Sequence, residues 1–450
     1  MHISDMWSSL CTVEGINSTV SIFNWIESLN TNLSVDIHKT TLAMTKWFYD
    51  YEKGQIVNKD RSFFQISGIH TDQIEQPIII QNEIGYLGLL CKPINGVIHF
   101  LMQAKVEPGN INKIQLSPTL QATKSNFLQA HGGVKPAYLD VFLNAEECNI
   151  VYDQIQSEQS SRFLSKRNRN IVVMLSENAK VQESEYHRWL TLGQIKHLMH
   201  FDNIVNMDTR TVIGCMPIAK SGHNPNNNPF VHSILHGHQH GIIQRIFQYM
   251  NNCKMFADNM PFLVPLYSMR NWVNNEYSEY EEFVCKSSYP FKLIYCDISI
   301  EGREVRHWSQ PLLETLGMAT FGLLTRVNQN VQEFLVHAKK EVGCFDIVEL
   351  APTIQFEATE EPANDIEKIF YERYIKEQGI EYDVILSEEG GRFYHEQNRN
   401  VIIKIEPELI DETPPGYWWC TYMTLSNFMQ INNILNIQLR NLLALLEIKE

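Results

Sequence analysis

The chain has 450 residues, 44% of them hydrophobic and 11% aromatic, which is enough to bury a sizeable core and to make two or three domains. A formal net charge of -15 excludes a general nucleic-acid binder, because neutralising phosphates takes a basic surface; an anionic small ligand would need a local basic pocket. No window approaches the ~18 consecutive apolar residues of a membrane span, and the nine cysteines, scattered without a C-x-x-C pair, form neither a disulfide framework nor a thiolate zinc motif.

The opening MHISDMWSSLCTVEG lacks a basic leader and a long apolar stretch, so a cytoplasmic protein is expected, with residues 1–39 as an N-terminal helical segment. Next come the β-rich runs SFFQISGI, IIIQNEIGYLGLLCKPI, VIHFLMQAKVE and NIVVML. Asn95-Gly96, between two of them, is a hairpin turn signal that implies antiparallel pairing. Along VIHFLMQAKVE, Phe100, Met102, Ala104 and Val106 alternate with His99, Leu101, Gln103, Lys105 and Glu107, so an amine and a carboxylate project from one face at the strand's end. Leu192, Ile195, Leu198, Met199 and Phe201 recur at helical spacing and read as core. The stretch SGHNPNNNPFVHSILHGHQHG is a connector that runs into a helix expected over residues 242–251. Its His232, His236, His238 and His240 have no carboxylate or cysteine beside them, and no metal site is expected there.

The second half of the chain repeats the first. Ser157, Glu158, Arg162, Phe163, Asn168, Arg169 and Asn170 recur at one constant offset as Ser387, Glu388, Arg392, Phe393, Asn398, Arg399 and Asn400. Gly88 pairs with Gly322, Lys105 with Lys339, Glu107 with Glu341, Gln121 with Gln355 and Arg210 with Arg440, while Leu425, Phe428 and Ile431 keep the helical phase. Two homologous units are expected, at 40–217 and 268–450, joined by the His- and Asn-rich connector with its helix at 218–267.

The strings QAKVEPGNINKIQLSPTLQATKSN, QSEQSSRFLSKRNRN and WLTLGQIKHLMHFDNIVNMDTRT, with WSQP, VELAPTIQ and SEEGGRF in the second unit, resemble the NDP-hexose 2,3-dehydratase family of deoxysugar pathways. The resemblance implies an α+β fold made by tandem duplication of a Nudix-like mixed-sheet domain with helices. It also implies a homodimer, a dTDP-4-keto-6-deoxyhexose substrate and a downstream 3-ketoreductase. In such a sugar the C3 proton lies next to the carbonyl and the C2 hydroxyl lies β to it. A base near C3, a proton donor for the leaving hydroxyl and a partner for the C4 oxyanion then suffice, and no cofactor is expected. The metal-holding REXXEE cluster of Nudix hydrolases is missing from both units, as are G-x-G-x-x-G after a strand, G-x-x-x-x-G-K-[ST] and H-E-x-x-H. A Nudix-type pyrophosphohydrolase and a non-catalytic nucleotide-sugar-binding protein remain as alternatives.

Comparison of the two copies favours the first as the active unit, because the second loses polar groups. Lys166, Arg167, Asp208 and Thr209 become Glu396, Gln397, Gln438 and Leu439; Ser117 becomes Ala351; Lys124, Ser125 and Asn126 become Glu360, Glu361 and Pro362. The catalytic candidates are Lys105, Glu107, His131 and Asp208. The substrate-binding candidates are Gln115, Ser117, Thr119, Gln121, Ser125, Asn126, Glu158, Arg162, Lys166, Arg167, Arg169, Thr209 and Arg210. Several have a plain structural reading beside the functional one: Lys105 with Glu107 as a surface ion pair, Lys166-Arg167 as a solvated charge run, Arg162 and Arg169 as ties between loop and strand, Asp208 as a cap, His131 as an exposed loop histidine.

Overall fold

The computed structural model describes residues 4–123, 135–146, 149–218, 227–303 and 305–448, and within them the protein is α+β, with two large and two small mixed sheets. The first large sheet runs Ile150–Ser157, Arg167–Met174, Gly85–Ile94, Val97–Val106, His187–Thr191, with Ile114–Ser117 on Val97–Val106 and Leu120–Ala122 on Gly85–Ile94. The second takes the same order with Ile380–Ser387, Gln397–Lys404, Ala319–Asn328, Val331–Lys340, Tyr417–Thr421, and adds Val348–Ala351 and Ile354–Phe356 in the corresponding places. Even the irregularities match, since the outermost pair of each sheet shifts register between Ile150 and Tyr152 and between Ile380 and Tyr382.

Local chemistry explains these strands. Asn95 and Gly96 both adopt positive φ (52° and 81°), the twist a two-residue hairpin needs, and Ile94 pairs with Val97 across them. The run IIIQNEIGYLGLLCKPI breaks into two strands in different sheets, Glu75–Ile80 and Gly85–Ile94, because the polar Gln81–Ile84 link lets the chain change layers. Phe100, Met102 and Val106 point into a core shared by both halves, where Phe334, Val336, Leu425 and Leu439 meet them. Leu101 is equally buried on the opposite face, against Leu90, Ile171 and Trp189, so the sheet is covered on both sides and polar residues on that face gather at the strand's end. The cover is the helix Leu139–Leu143 in the first half and Asp365–Ile375 in the second. Gly88 and Gly322 recur because a Cβ there would lie 2.6 Å from the Phe142 ring and 2.2 Å from the Phe370 ring.

The small sheets exchange strands. Phe262–Val264, from the connector, pairs with Gln65–His70 in the sheet that also holds Trp47–Asp50, Gln55–Asn58, Glu75–Ile80 and Phe163–Leu164. Val35–Thr40 pairs with Phe291–Ile300, beside His307–Thr315 and Phe393–Tyr394. This corrects the expectation of a helical segment over residues 1–39: helices span Ser4–Leu10 and Thr19–Asn32, but Val35 and Ile37 alternate with Asp36 and His38 and fit a half-buried strand. The connector holds helices Pro229–Leu235 and Ile242–Met255, the latter one turn longer than expected and buried along Ile242, Ile246 and Met250. The late helices of the two halves are Leu192–Leu198 and Tyr422–Met429. Phe201 and Ile431 fall beyond them and are exposed, a correction to their reading as core, since the chain turns through positive φ at Asn203 and Asn433.

Candidate active site

The recurring stretches quoted above form two loops that cross between the halves. Gly109 donates its N–H to the carbonyl of Gly390 (2.6 Å) and accepts from the N–H of His395 (2.9 Å). Gly343 repeats the contact, donating to Ser160 (2.8 Å) and accepting from Ser165 (2.7 Å). Glycine is required at both, because a Cβ would lie 1.6 Å from the carbonyl oxygen of Phe393 or 1.9 Å from that of Phe163. Each half's strand-end turn is therefore pressed against the other half's loop.

A cavity of about 660 Å³ opens at the first of these junctions. Its floor is the strand end the sequence singled out. Lys105 Nζ lies 3.3 Å from Glu107 Oε1, and Gln121 Nε2 donates to the same oxygen at 3.0 Å. Gln121 is itself oriented by Ser117 (2.9 Å) and by Asn206 (3.3 Å), the residue that caps the helix Met207–Gly214. With side chains 10% and 6% exposed, the Lys105–Glu107 pair is not the surface ion pair of the plain reading. Asp208 enters from the first turn of that helix; the cap is Asn206, and no described residue hydrogen-bonds the Asp208 carboxyl. Glu158 and Lys166 line the wall, Glu158 held by Asn168 and Lys166 by the carbonyl of Glu83.

The second half supplies the remaining wall. Glu389 and Arg392 reach in from its crossing loop, and Arg303, Trp308 and Gln310 from the neighbouring hairpin. Arg392 bonds Gln81 (3.2 Å), lies over the Phe64 ring and makes no ion pair within 4 Å among the described residues. Glu107, Glu158, Asp208 and Glu389 thus share one small space with Lys105, Lys166, Arg303 and Arg392, and the electrostatics follow. Burial, then the charge of Glu389, pushes Glu158 up to about 8. Burial, then Glu107, pushes Glu389 up to about 7. Burial, then Glu158 and Glu389, holds Asp208 well above the usual carboxylate range, while burial brings Lys166 down to about 8 against the pull of Glu158. Burial thus favours the neutral form of Glu158, Glu389 and Asp208 in a cavity that also holds amines and guanidinium groups.

Of the sequence candidates, Lys105, Glu107, Gln121, Glu158, Lys166 and Asp208 come together around this cavity, with Ser117 one step behind. Others do not. Gln115 bonds Ser387, Thr119 ties Leu90 to Leu101, Thr209 bonds the carbonyl of Leu116, and Arg210 clamps the carbonyls of Val205 and Ser387, all buried in packing between strands or halves. Arg169 grips both oxygens of Asp153 on the adjacent strand, as Arg399 grips Asp383, and Arg167 stacks on Phe345 (3.7 Å). Arg162 crosses away from the cavity to Glu357 (2.8 Å) and the Phe291 ring, the place that Arg392 mirrors. Ser125, Asn126 and His131 lie outside the described residues. Glu389 and Arg392 are not among the sequence candidates, because the groups missing from the second copy pointed to the first; Gln159 opposite Glu389 is the signal of a carboxyl that only the second copy has.

The matched place in the second half is chemically different. Lys339 and Glu341 persist with Gln355 on Glu341 at 2.7 Å, but Glu357 stands where the cavity has Thr123 and occupies Arg162, and Glu396 replaces Lys166. In the connector the His232 and His236 ring centres are 6.0 Å apart and those of His238 and His240 4.6 Å. Among the described residues no group of three or more His, Cys, Asp or Glu is arranged to hold a metal ion, and no helix is long and apolar enough to cross a membrane.

The profile of the NDP-hexose 2,3-dehydratase family matches residues 19–216 and again 243–446. The chain belongs to the NDP-hexose 2,3-dehydratase family. Curated relatives are the dTDP-4-dehydro-6-deoxy-alpha-D-glucopyranose 2,3-dehydratases of Saccharopolyspora spinosa, 36% identical over 97% of this chain and 93% of the relative, and of Streptomyces violaceoruber, 33% over 95% and 97%. The Amycolatopsis orientalis enzyme of the same name is 32% identical over 97% of this chain and 92% of its own. Among solved structures, a crystal structure of an ADP compounds hydrolase matches 36% of this dehydratase-family chain and 84% of its own at 12% identity, with a TM-score of 0.20, too low to bear on the fold. In this member of the dehydratase family, the cavity at the first junction brings Glu107, Glu158, Asp208 and Glu389 together with Lys105, Lys166 and Arg392.

Proposed function

We propose that the cavity at the first junction eliminates water across C2–C3 of a dTDP-4-keto-6-deoxyhexose, giving a 3,4-diketo-2,6-dideoxyhexose nucleotide for a downstream 3-ketoreductase. The observation that carries this reading is the Lys105–Glu107–Gln121 arrangement lining one cavity with Asp208 and Lys166. Glu107 is the base that takes the C3 proton, Lys105 and Gln121 orient it, and Lys105 is placed to balance charge as the C4 oxyanion forms. Asp208, kept protonated by burial, donates a hydrogen bond within the site. Lys166 and Arg392 hold the diphosphate through charge-assisted contacts, and Ser125, Asn126 and His131, which follow Thr123 in the sequence, are kept as further candidates.

We further propose that the protein is a tandem duplication of a Nudix-like domain, the first unit at 40–217 carrying the active cavity and the second at 268–450 completing it, and that it works as a homodimer in the cytoplasm. The shared strand order and a sequence offset that is constant within each stretch support the duplication. The test is to incubate the protein with dTDP-4-keto-6-deoxyglucose and a 3-ketoreductase and follow the sugar by mass spectrometry. Loss of water with the diphosphate intact is expected; release of nucleoside monophosphate in its place would sink the reading.

A further inference from the structure

Glu389 reaches the cavity only because its loop crosses from the other half. The loop is pinned by Gly109 to Gly390 (2.6 Å) and by Gln310 Nε2 to the carbonyl of Gly391 (2.7 Å), and a Cβ on Gly390 would lie 3.0 Å from Cβ of Glu107. Glu389 therefore sits beside the end of the Lys105–Glu107 strand. Its carboxyl accepts one hydrogen bond, from the N–H of Gly391 at 3.1 Å, and makes no ion pair within 4 Å among the described residues. Glu107, by contrast, is engaged by Lys105 and Gln121, which suits a charged base. Asp208 is 2% exposed, whereas Glu389 is half-buried and lines the cavity where a ligand would sit. The matching loop of the first half carries Gln159 at this position, so the carboxyl is present only on the loop that serves the cavity.

We propose that Glu389, delivered from the second half, is the catalytic acid that protonates the departing C2 hydroxyl; this rests on the dehydratase reading above. Glu107 takes the C3 proton and the electron pair forms the C4 enolate. The enolate collapses to a C2=C3 double bond as the C2–O bond breaks, and the oxygen leaves as water with the Glu389 proton. The 3-hydroxy enol then passes its hydroxyl proton to Glu389, and C2 is protonated by the acid formed at Glu107, which restores both residues. Burial and the neighbouring Glu107 charge raise Glu389 to about 7, which keeps the acid form available at neutral pH.

The experiment is Glu389→Gln and Glu389→Asp in the full chain, with three readouts: water loss from dTDP-4-keto-6-deoxyglucose, wash-in of solvent deuterium at C3, and dTDP affinity by calorimetry. For Glu389→Gln we expect elimination to fall by about 100-fold or more while C3 exchange continues and dTDP affinity changes less than about twofold. Glu389→Asp, which keeps an acid, should eliminate faster than the Gln variant, and it carries the test if the Gln variant does not fold. Elimination within a few fold of wild type in Glu389→Gln, loss of C3 exchange together with elimination, or an Asp variant no better than Gln would each overturn the acid role. Failure of the wild-type protein to lose water at all would overturn the dehydratase reading, and the acid role with it.

Discussion

The guanidinium of Arg162 lies 2.8 Å from the carboxylate of Glu357, and this contact sets the two junctions apart. Arg392, the counterpart of Arg162, faces Thr123 and remains available to a ligand, whereas Arg162 is already neutralised. Glu357→Thr would leave a buried cation without its partner. Because Glu357 is one-quarter exposed and water can reach the contact, the cost should be about 1–3 kcal/mol, below that of a fully buried pair. Turnover should stay at the wild-type rate, since Arg162 does not line the cavity. Urea unfolding and initial rates check the two halves of this statement, and a large fall in turnover would place the working site elsewhere.

The two strand-end carboxylates should behave differently although their local geometry matches. Glu107→Gln keeps shape and removes the base, so turnover should fall by a factor on the order of 10² or more and C3 deuterium exchange should stop. Glu341→Gln should cost little, because the cation near Glu341, Arg162, is already paired with Glu357 and is not available to a ligand. If Glu341→Gln is the inactive variant, the assignment of the active half is wrong.

Lys166 and Arg167 are adjacent in sequence but separate in space. Lys166→Glu should weaken dTDP binding at least about tenfold by replacing a charge-assisted contact with repulsion, while Arg167→Gln, which removes stacking on Phe345, should change affinity less than about threefold. With Lys166 at about 8, affinity for the diphosphate should decline as pH rises through that value. Calorimetry across pH 6.5 to 9 decides both points, and equal effects of the two substitutions would contradict the geometry.

Stability of the ligand-free protein should fall between pH 6.5 and 8. Glu158 and Glu396 are raised to about 8, and Glu389 and Glu349 to about 7, from 4.5, each chiefly by burial. In this window the folded state holds protons that the unfolded chain has released, so the slope of unfolding free energy with pH is negative. His187 and His337, lowered to about 4 by burial, act in the opposite sense only below 6.5, and Lys166 and Lys196, lowered to about 8, reverse the slope above it. Glu396→Gln should raise Tm at pH 8 more than at pH 6.5. A wild-type Tm that climbs from pH 6.5 to 8 would refute the argument.

Periodicity carried the local structure well. The Asn95-Gly96 turn, the alternation along Val97–Val106 and the stripe at Ile242, Ile246 and Met250 are short-range patterns that the backbone obeys wherever they occur. The pairing of Lys105 with Glu107 was legible for the same reason, since residues two apart on a strand share a face. Val35–Thr40 was missed because six residues of mixed polarity become a strand only when Phe291–Ile300 offers an edge.

The sequence by itself determined the internal repeat, the resemblance to a dehydratase family and which copy retained Lys166 and Asp208, because these are readable residue by residue. The tertiary structure alone decided which loop completes which cavity. Arg162, Arg167 and Arg169 looked like one basic cluster, yet a crossing loop carries Arg162 into the other half and tertiary partners claim the other two, so the three end at Glu357, Phe345 and Asp153. Glu389 and Arg392 arrive in exchange; backbone contacts too close for any side chain, at Gly109 for their loop and at Gly343 for that of Arg162, hold the two loops in place. Such contacts join segments more than 150 residues apart, and no local pattern encodes them: the pressure that selects a glycine there comes from a carbonyl that only folding brings near.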